Sequence, residues 1–153
     1  MEENKTMGYS YKDNLREGVI FAFLRNGRLL IEHRPGENGK EETFFTNGSI
    51  ETKDHQSTED YRIIALNREV TEEMAGKVAI TEFHYLGELK VDVIGVLFYI
   101  YLITDWQGDM PDHAIEEGQR FSRLQWVELE KADDYFEYDS AKEVCRLIRT
   151  FVA

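Results

Sequence analysis

The sequence has little cysteine and no long apolar run, and each absence excludes a class of protein. The single cysteine, Cys145, excludes an internal disulfide and a zinc site built from two or four cysteines. The longest apolar stretch, residues 93–103, is far shorter than the roughly 20 residues of a membrane-spanning helix. The N-terminus is polar and lacks the apolar core of a signal peptide. We therefore expect a cytoplasmic protein that has no membrane partner.

Basic residues are also scarce, with 18 Lys and Arg against 30 Asp and Glu and a net charge of −12. Proteins that bind DNA or RNA normally present a basic face, because neutralising phosphates supplies most of their affinity. No such face is evident, so we expect no nucleic-acid partner. Surplus acid keeps a protein soluble, and it is also compatible with divalent cations and with polyphosphates that carry them.

The chain is predicted to form one domain, since its 153 residues contain no linker, repeat or change of composition that would divide them. We place a polar N-terminal segment at residues 1–15 and the domain at residues 16–153. Two apolar runs flank Asn26-Gly27, which is a strong signal for a two-residue hairpin. Further strands are expected at residues 43–46, 80–90, 92–104 and 123–127, with a loop over residues 106–118.

Two helices complete the prediction. The first runs from Ser57 to Met74, with Ser57 or Thr58 as its cap, because apolar residues recur there every three or four positions. The second runs from a cap at Asp139 or Ser140 to about Phe151, and Cys145 belongs to its apolar face. The strand at residues 92–104 is so continuously apolar that both its faces should be covered. This order predicts an α/β protein, a three-layer α/β/α sandwich on a mixed sheet.

Three glutamates carry the chemistry. Glu69, Glu72 and Glu73 fall within about 100° of arc on the first helix, where their charges repel one another. A bound cation relieves that repulsion, and carboxylates without His or Cys nearby suit Mg²⁺, or Mn²⁺, rather than zinc. Taken alone, the same spacing also describes an ordinary solvated acidic face.

The surrounding sequence favours the metal. The segment Arg68-Glu69-Val70-Thr71-Glu72-Glu73 resembles the core of the Nudix box, and Gly48-Ser49-Ile50-Glu51 resembles the glycine loop that opens it. Downstream, Glu117-Gly118-Gln119 is similar to the acidic loop of MutT-type members. The resemblance implies the Nudix α/β/α sandwich and an enzyme that hydrolyses phosphoanhydride bonds in nucleoside diphosphates linked to another group. A MutT-like (d)NTP pyrophosphohydrolase is the first choice, and a nucleotide-sugar or dinucleotide polyphosphate hydrolase is the alternative.

The resemblance also implies roles for individual residues. Metal ions would be held by Glu69, Glu72, Glu73, Glu117 and the carbonyl of Gly48. Arg68 would pair with a box glutamate, and one of the carboxylates, or Glu116, would take the proton of the attacking water. Substrate would contact Arg34, Gly48, Glu51 and one of the two phenylalanines Phe44 and Phe45, which we take as Phe45. The partner is a small-molecule nucleotide, and pairing of edge strands in this fold leaves a homodimer open.

The sequence departs from the family pattern in its loop. The pattern places its Arg fourteen positions after the glycine, whereas Arg68 follows Gly48 by twenty. Counted back from Arg68, the pattern's loop glutamate falls on Asp60. Ala75 stands where the closing glycine is usual, and Gly76 follows it. These changes leave the metal-binding carboxylates in place but reshape the phosphate loop, so the substrate stays open.

Two other functions were weighed. A Nudix-fold module that senses nucleotides without turning them over usually loses box glutamates, and here all three are present. An isoprenoid-diphosphate isomerase of the same fold needs a suitably placed cysteine, and Cys145 lies in the wrong element.

Overall fold

The fold is a mixed β-sheet with one α-helix on each face. The computed structural model describes residues 8–116 and 118–153, which form nine strands and two α-helices. The strands are β1 (Tyr11–Lys12), β2 (Leu15–Arg25), β3 (Arg28–Pro35), β4 (Glu41–Phe44), β5 (Asn47–Ser49), β6 (Ala79–Val91), β7 (Val96–Gln107), β8 (His113–Glu116) and β9 (Gln119–Glu128). The helices are α1 (Tyr61–Glu73) and α2 (Asp139–Val152).

The sheet separates two apolar cores, because side chains alternate between the faces of each strand. Val19 and Phe21 of β2 pack on the side of helix α1, whereas Ile20 and Ala22 pack on the side of α2. Cys145 lies fully buried in the second core, as predicted for a small apolar residue, and burial raises the pKa of its thiol to about 12. The predicted three-layer α/β/α sandwich is confirmed.

The strand order is β6-β7-β2-β3-β9-β8, and β2 and β7 form the parallel pair. Every residue of β7 from Val96 to Ile103 is buried, which confirms that both faces of this strand are covered. Asn26 and Gly27, both with positive φ, close the β2–β3 hairpin as predicted. Beyond the hairpin the two strands separate, since β5 pairs with β2 and β4 pairs with β3.

Several predicted boundaries were wrong. Helix α1 begins at Tyr61 and is capped by Asp60 rather than by Ser57 or Thr58. A separate 3-10 helix at Thr52–Gln56 precedes it, and Ser57, in extended conformation, ends that helix. Helix α2 has Tyr138 at its cap position and no side-chain cap. The predicted loop at residues 106–118 contains the short strand β8. In the described part of the chain, no helix is long and apolar enough to cross a membrane.

The end of the predicted N-terminal segment is packed on the domain. The carbonyl of Gly8 accepts a hydrogen bond from the backbone N–H of Thr52, and the N–H of Ser10 donates to the carbonyl of Ile50. The hydroxyl of Ser10 donates to the buried carboxylate of Glu17 at 2.5 Å. Residues 8–15 are therefore attached to the loop that carries Gly48 and Glu51.

Candidate active site

A cleft of about 840 Å³ opens where β2 and β3 separate, beside the last turns of helix α1. It brings together most of the residues predicted to act on substrate or metal, namely Arg34, Gly48, Glu51, Glu69, Glu72, Glu73 and Glu116. Glu117, predicted as a metal ligand and catalytic residue, lies outside the described residues.

Arg68 joins the loop to the helix. Its Nε and Nη2 donate to the two carboxylate oxygens of Asp54 at 2.9 and 2.8 Å, and Nη2 also donates to the carbonyl of Ser49 at 3.0 Å. Nη1 donates to Glu69 at 2.9 Å and to Glu72 at 3.2 Å. Two parallel bonds to one carboxylate hold a guanidinium firmly. Arg68 therefore holds the box loop and the metal-face glutamates in a fixed relation.

Asp54, rather than Asp60, takes the place of the pattern's loop glutamate. Asp54 is 1% exposed and bonded to Arg68, whereas Asp60 caps helix α1 and pairs with Arg62 at the surface. Burial would raise the pKa of Asp54, but the hydrogen bonds from Arg68 and from the backbone of Glu51 outweigh it and lower that pKa. Counting forward from Gly48 instead of back from Arg68 would have found this acid, so the six extra residues follow Asp54.

Glu51 braces the same loop. Its carboxylate and that of Asp54 each accept a hydrogen bond from the other residue's backbone, which forms a capping box for the 3-10 helix at Thr52–Gln56. Its carboxylate also lies 3.4 Å from Arg68. The predicted bracing role agrees with these contacts.

Gly48 lies directly against a metal-face glutamate. A Cβ atom built on Gly48 would lie 2.1 Å from the carboxyl carbon of Glu69, so no larger residue fits without displacing that side chain. The close approach places the backbone of β5 beside the Glu69 carboxylate, and a metal ion shared by the two stays a prediction. Burial raises the pKa of Glu69 to about 7; Arg68 lowers it, and Glu72 and Glu51 raise it.

A second group of buried acids lies at the end of helix α1. Glu73 is 8% exposed, and burial, together with repulsion from Glu32 and Glu69, raises its pKa well above the ordinary value. Burial likewise raises the pKa of Glu32, whose carboxylate lies 3.1 Å from Nε of Arg34 without hydrogen-bond geometry. Arg34 is thus the cation beside these acids, and it borders the cleft as predicted.

Solved structures share this architecture. A crystal structure titled as an ADP compounds hydrolase superposes with a TM-score of 0.68 at 14% identity, covering 89% of this chain and 72% of that one. A MutT Nudix hydrolase from Burkholderia pseudomallei gives 0.66 at 19% identity, covering 87% and 97%. A MutT structure, from a study of the Aliivibrio salmonicida and Vibrio cholerae proteins, gives 0.59 at 21%, covering 88% and 98%.

The chain has the Nudix fold. The likeness lies in structure rather than in sequence, since every identity given above is 21% or less. No protein-family model matches the sequence, and no curated protein matches it either. What the Nudix fold does in this chain therefore has to be argued from the residues in its cleft.

The carboxylates of this Nudix cleft fit a divalent cation in chemistry and in charge. Glu69, Glu72, Glu73 and Glu116 line the cleft and offer oxygen ligands, and the acidic residues of its lining outnumber Arg16 and Arg34. Among the residues described, no three His, Cys, Asp or Glu side chains form a ready-made ligand set. Glu72 lies 3.2 Å from Arg68, and its side chain is 52% exposed.

One predicted contact was wrong. Phe45 is fully buried in the core on the α2 side, where its ring packs 5.0 Å from that of Phe136, so it does not border the cleft. Phe44 packs against the same core. The aromatic rings that do line the Nudix cleft are Tyr9 and Phe121, which the sequence analysis missed.

Glu32 and Arg16 were also missed. Glu32 sits at an inward position of a strand, where the alternating pattern predicts an apolar residue, and that anomaly was a usable signal. Arg16 lies in the polar run before β2 and carries no comparable signal. It lines the cleft because β2 starts beside the box loop.

Proposed function

We propose that this chain hydrolyses a phosphoanhydride bond in a nucleoside diphosphate linked to another group, with Mg²⁺ as cofactor and Mn²⁺ as a substitute. One observation carries the proposal: Glu69, Glu72, Glu73 and Glu116 face one cleft together with Gly48 and Arg34. Carboxylates of this density next to an arginine suit a cation and a polyphosphate bound together.

The cation would be held by Glu69, Glu72 and Glu73 with the carbonyl of Gly48, and Glu117 would add a ligand. Mg²⁺, when bound, supplies positive charge opposite the phosphate oxygens and acidifies water. Arg68 keeps Glu69 in position through the bonds that tie both to the box loop. Arg68 and Gly48 bind and orient in this proposal, and proton transfer is left to a carboxylate of the cleft.

Arg34 and Glu116 would act on the substrate. Arg34 faces the cleft with its guanidinium partly exposed, which suits the negative oxygens of a diphosphate. A carboxylate in the cleft, Glu116 or one of the box glutamates, would accept the proton of the attacking water. Glu51 supports the loop under the phosphates through its contacts with Asp54 and Arg68.

The substrate is expected to be a small nucleotide. The MutT-like assignment proposes a (d)NTP, cut to release pyrophosphate, and the second candidate is a nucleotide sugar or a dinucleoside polyphosphate. The breadth of the cleft favours the second candidate, because about 840 Å³ approaches the upper end of the roughly 300–1,000 Å³ usual for ligand pockets.

A panel assay tests the proposal. Purified protein with Mg²⁺ is expected to hydrolyse at least one member of a set comprising dNTPs, ADP-ribose, UDP-glucose and diadenosine tetraphosphate. A dNTP gives dNMP and pyrophosphate, and each of the other substrates gives two phosphorylated fragments, so chromatography of the products follows all four. Glu73→Gln should lower kcat by about 100-fold or more, as expected when a group essential for metal binding or proton transfer is lost. Glu59→Gln, an exposed glutamate just before helix α1, is the matched control and should keep full activity.

The competing sensor hypothesis predicts a different result. If the protein binds nucleotides tightly but turns none over with Mg²⁺ or Mn²⁺, the chain is a nucleotide-binding module and the hydrolase proposal fails. Urea unfolding of both variants shows whether they are folded, so a misfolded protein is not mistaken for an inactive one.

A further inference from the structure

The cleft extends past the carboxylates to a tyrosine and an arginine that the proposed hydrolysis leaves without a role. Tyr9 is 37% exposed, and the guanidinium of Arg16 lies over its ring, 5.4 Å from the ring centre. Both side chains line the same cleft as Glu51 and Glu72. An aromatic ring beside a guanidinium offers a flat, partly cationic surface on which another ring can stack.

Arg16 differs from the other arginines of this region in having no acidic partner. Arg68 is bonded to Asp54, and Arg34 lies 3.1 Å from the carboxylate of Glu32. Arg16 is in no ion pair with any residue the structure describes, and its buried Nε has no hydrogen-bond partner there. In a chain with a net charge of −12, a cation left unpaired in a cleft points to a ligand.

A similar pair lies on the other half of the sheet. The guanidinium of Arg34, on β3, lies 5.1 Å from the centre of the Phe121 ring, on β9. Arg16, by contrast, stands on β2, which beyond the hairpin pairs with β5 and β7 rather than with β3. The cleft therefore has one aromatic–guanidinium surface from each half of the split sheet, and the metal-face glutamates share the cleft with both.

The surface formed by Tyr9 and Arg16 is fixed to the rest of the domain. Tyr9 forms a backbone bridge with Glu51 of the box loop, and Ser10 is anchored through its hydroxyl to Glu17. Glu17 is 1% exposed and also accepts hydrogen bonds from the hydroxyls of Tyr61 and Tyr99. A stacking surface that is already rigid loses little conformational entropy when a ring binds to it.

We infer that Tyr9 and Arg16 form a second ring-binding subsite, so that the substrate carries a planar ring at each end of its polyphosphate. This inference rests on the proposed function, because it takes the diphosphate to lie at the glutamates between the two surfaces. The chemical class is a dinucleoside polyphosphate. A nucleoside triphosphate has one ring only and would leave one of the two surfaces empty.

Binding of two non-hydrolysable probes tests the subsite without relying on turnover. The probes are a methylene-bridged analogue of diadenosine tetraphosphate, which has two rings, and α,β-methylene-ATP, which has one. In isothermal titration calorimetry with Mg²⁺, the full chain should bind the two-ring probe about 5- to 150-fold more tightly, the range that stacking one base usually provides.

Variants of the subsite should remove that preference selectively. Tyr9→Leu and Arg16→Lys should weaken the two-ring probe to the level of the one-ring probe and leave the one-ring probe unchanged. Arg16→Lys keeps the charge but loses the planar guanidinium, so its effect separates stacking from simple attraction. Tyr11→Leu, two residues along and 47% exposed outside the cleft, is the matched control and should change neither affinity.

Equal affinity of the two probes for the full chain, or an unchanged preference in both variants, overturns the subsite. The panel assay then decides the proposed function independently: dNTP hydrolysis with no two-ring preference leaves the hydrolase proposal standing without the subsite. A preference that depends on Tyr9 in a protein that hydrolyses nothing supports the subsite and refutes the hydrolase proposal.

Discussion

Arg68 and Asp54 connect the box loop to helix α1 at the residue scale. Asp54 is 1% exposed and the side chain of Arg68 is 15% exposed, so their bidentate pair is largely shielded from water. Removing one partner of a buried pair leaves the other charge desolvated and unpaired, which costs far more than breaking an exposed pair. The stability of this junction should therefore depend on Asp54 and very little on Asp60.

The variant Asp54→Asn is expected to lower the free energy of unfolding by about 3 kcal/mol, the low end of the range for buried pairs that lose one partner, because Arg68 keeps its bond to Glu69. Asp60→Asn should lower it by less than about 1 kcal/mol, because that pair with Arg62 is exposed and asparagine also caps helices. Urea unfolding at neutral pH measures both. Equal losses in the two variants would contradict the assignment of Asp54 as the partner of Arg68.

Gly48 gives a second prediction at the residue scale. A methyl group at this position would push the Glu69 side chain out of its bond with Arg68, so Gly48→Ala should cost about 1–3 kcal/mol but leave the protein folded. Binding of Mn²⁺, followed by calorimetry, should nevertheless weaken about tenfold or more, since one tenfold step needs only about 1.4 kcal/mol. Gly8→Ala, where nothing lies within 4 Å of an added Cβ, is the control. Unchanged Mn²⁺ affinity in Gly48→Ala would argue against metal binding at Glu69.

The position of a residue in the site could be predicted from the sequence where it depends only on the spacing of residues within one helix or strand. The three box glutamates share a helical face, so their grouping could be foreseen. The partnership of Asp54 with Arg68 could not be located reliably, because extra residues separate them and only the folded loop shows where those residues lie. Tyr9 and Arg16 reach the cleft because the N-terminal segment pairs with the box loop. No local sequence pattern predicts that pairing.

At the scale of elements, the end of helix α1 carries a local strain. Ala75 has a φ of 53°, and the backbone N–H groups of Ala75 and Gly76 donate to the carbonyls of Glu72 and Thr71. This is a Schellman ending, in which the first residue past the cap is usually glycine because other residues pay a steric cost in the left-handed region.

Ala75→Gly is therefore expected to stabilise the protein by about 0.5–1 kcal/mol, since relief of the left-handed strain exceeds the extra chain entropy of glycine. Thermal unfolding, followed by circular dichroism, measures the gain as a higher Tm. The reverse change at the next position, Gly76→Ala, places a side chain at a φ of 72° and should lower Tm. A lower Tm in Ala75→Gly would show that the strain is absent.

Elements with a strong periodic pattern were predicted well, and short ones were not. The hairpin at Asn26-Gly27 and the buried strand β7 follow from turn chemistry and from an unbroken apolar run. Strand β8 has four residues, and its pairing with β9 rather than its own sequence makes it a strand. Helix α1 starts late because Ser57 follows the preceding 3-10 helix as its C-terminal cap, and Asp60 accepts the hydrogen bond that caps α1.

At the scale of the whole molecule, two sets of acids act on stability in opposite directions. Glu17 and Asp54 are buried, but hydrogen bonds to their charged forms outweigh burial and lower the pKa of each carboxyl. They stabilise the folded protein above their ordinary pKa values, and that contribution is lost as the pH falls through their lowered values. Glu69 and Glu73 have raised pKa values, so their ionisation favours the unfolded chain.

Without divalent cations, the free energy of unfolding should therefore decrease as the pH rises from 4.5, the ordinary pKa of a glutamate, to about 7, the pKa of Glu69 in the folded protein. The free energy of unfolding should also decrease as the pH falls from the ordinary pKa values of Glu17 and Asp54 through their lowered values. Maximal stability is therefore expected on the acid side of neutrality. Urea unfolding in EDTA across this range measures the profile. Glu69→Gln should flatten the decline, whereas Glu72→Gln, at the exposed edge of the same face, should preserve most of it, because burial is the main cause of the raised pKa of Glu69. Mg²⁺ at saturating concentration should raise stability most above pH 7, because a cation that binds only the folded carboxylates adds to the free energy of unfolding by mass action. If the free energy of unfolding in EDTA does not vary with pH and Mg²⁺ does not change it, the charges of the cleft are already balanced within the protein. The hypothesis of a metal site there would then have to be given up.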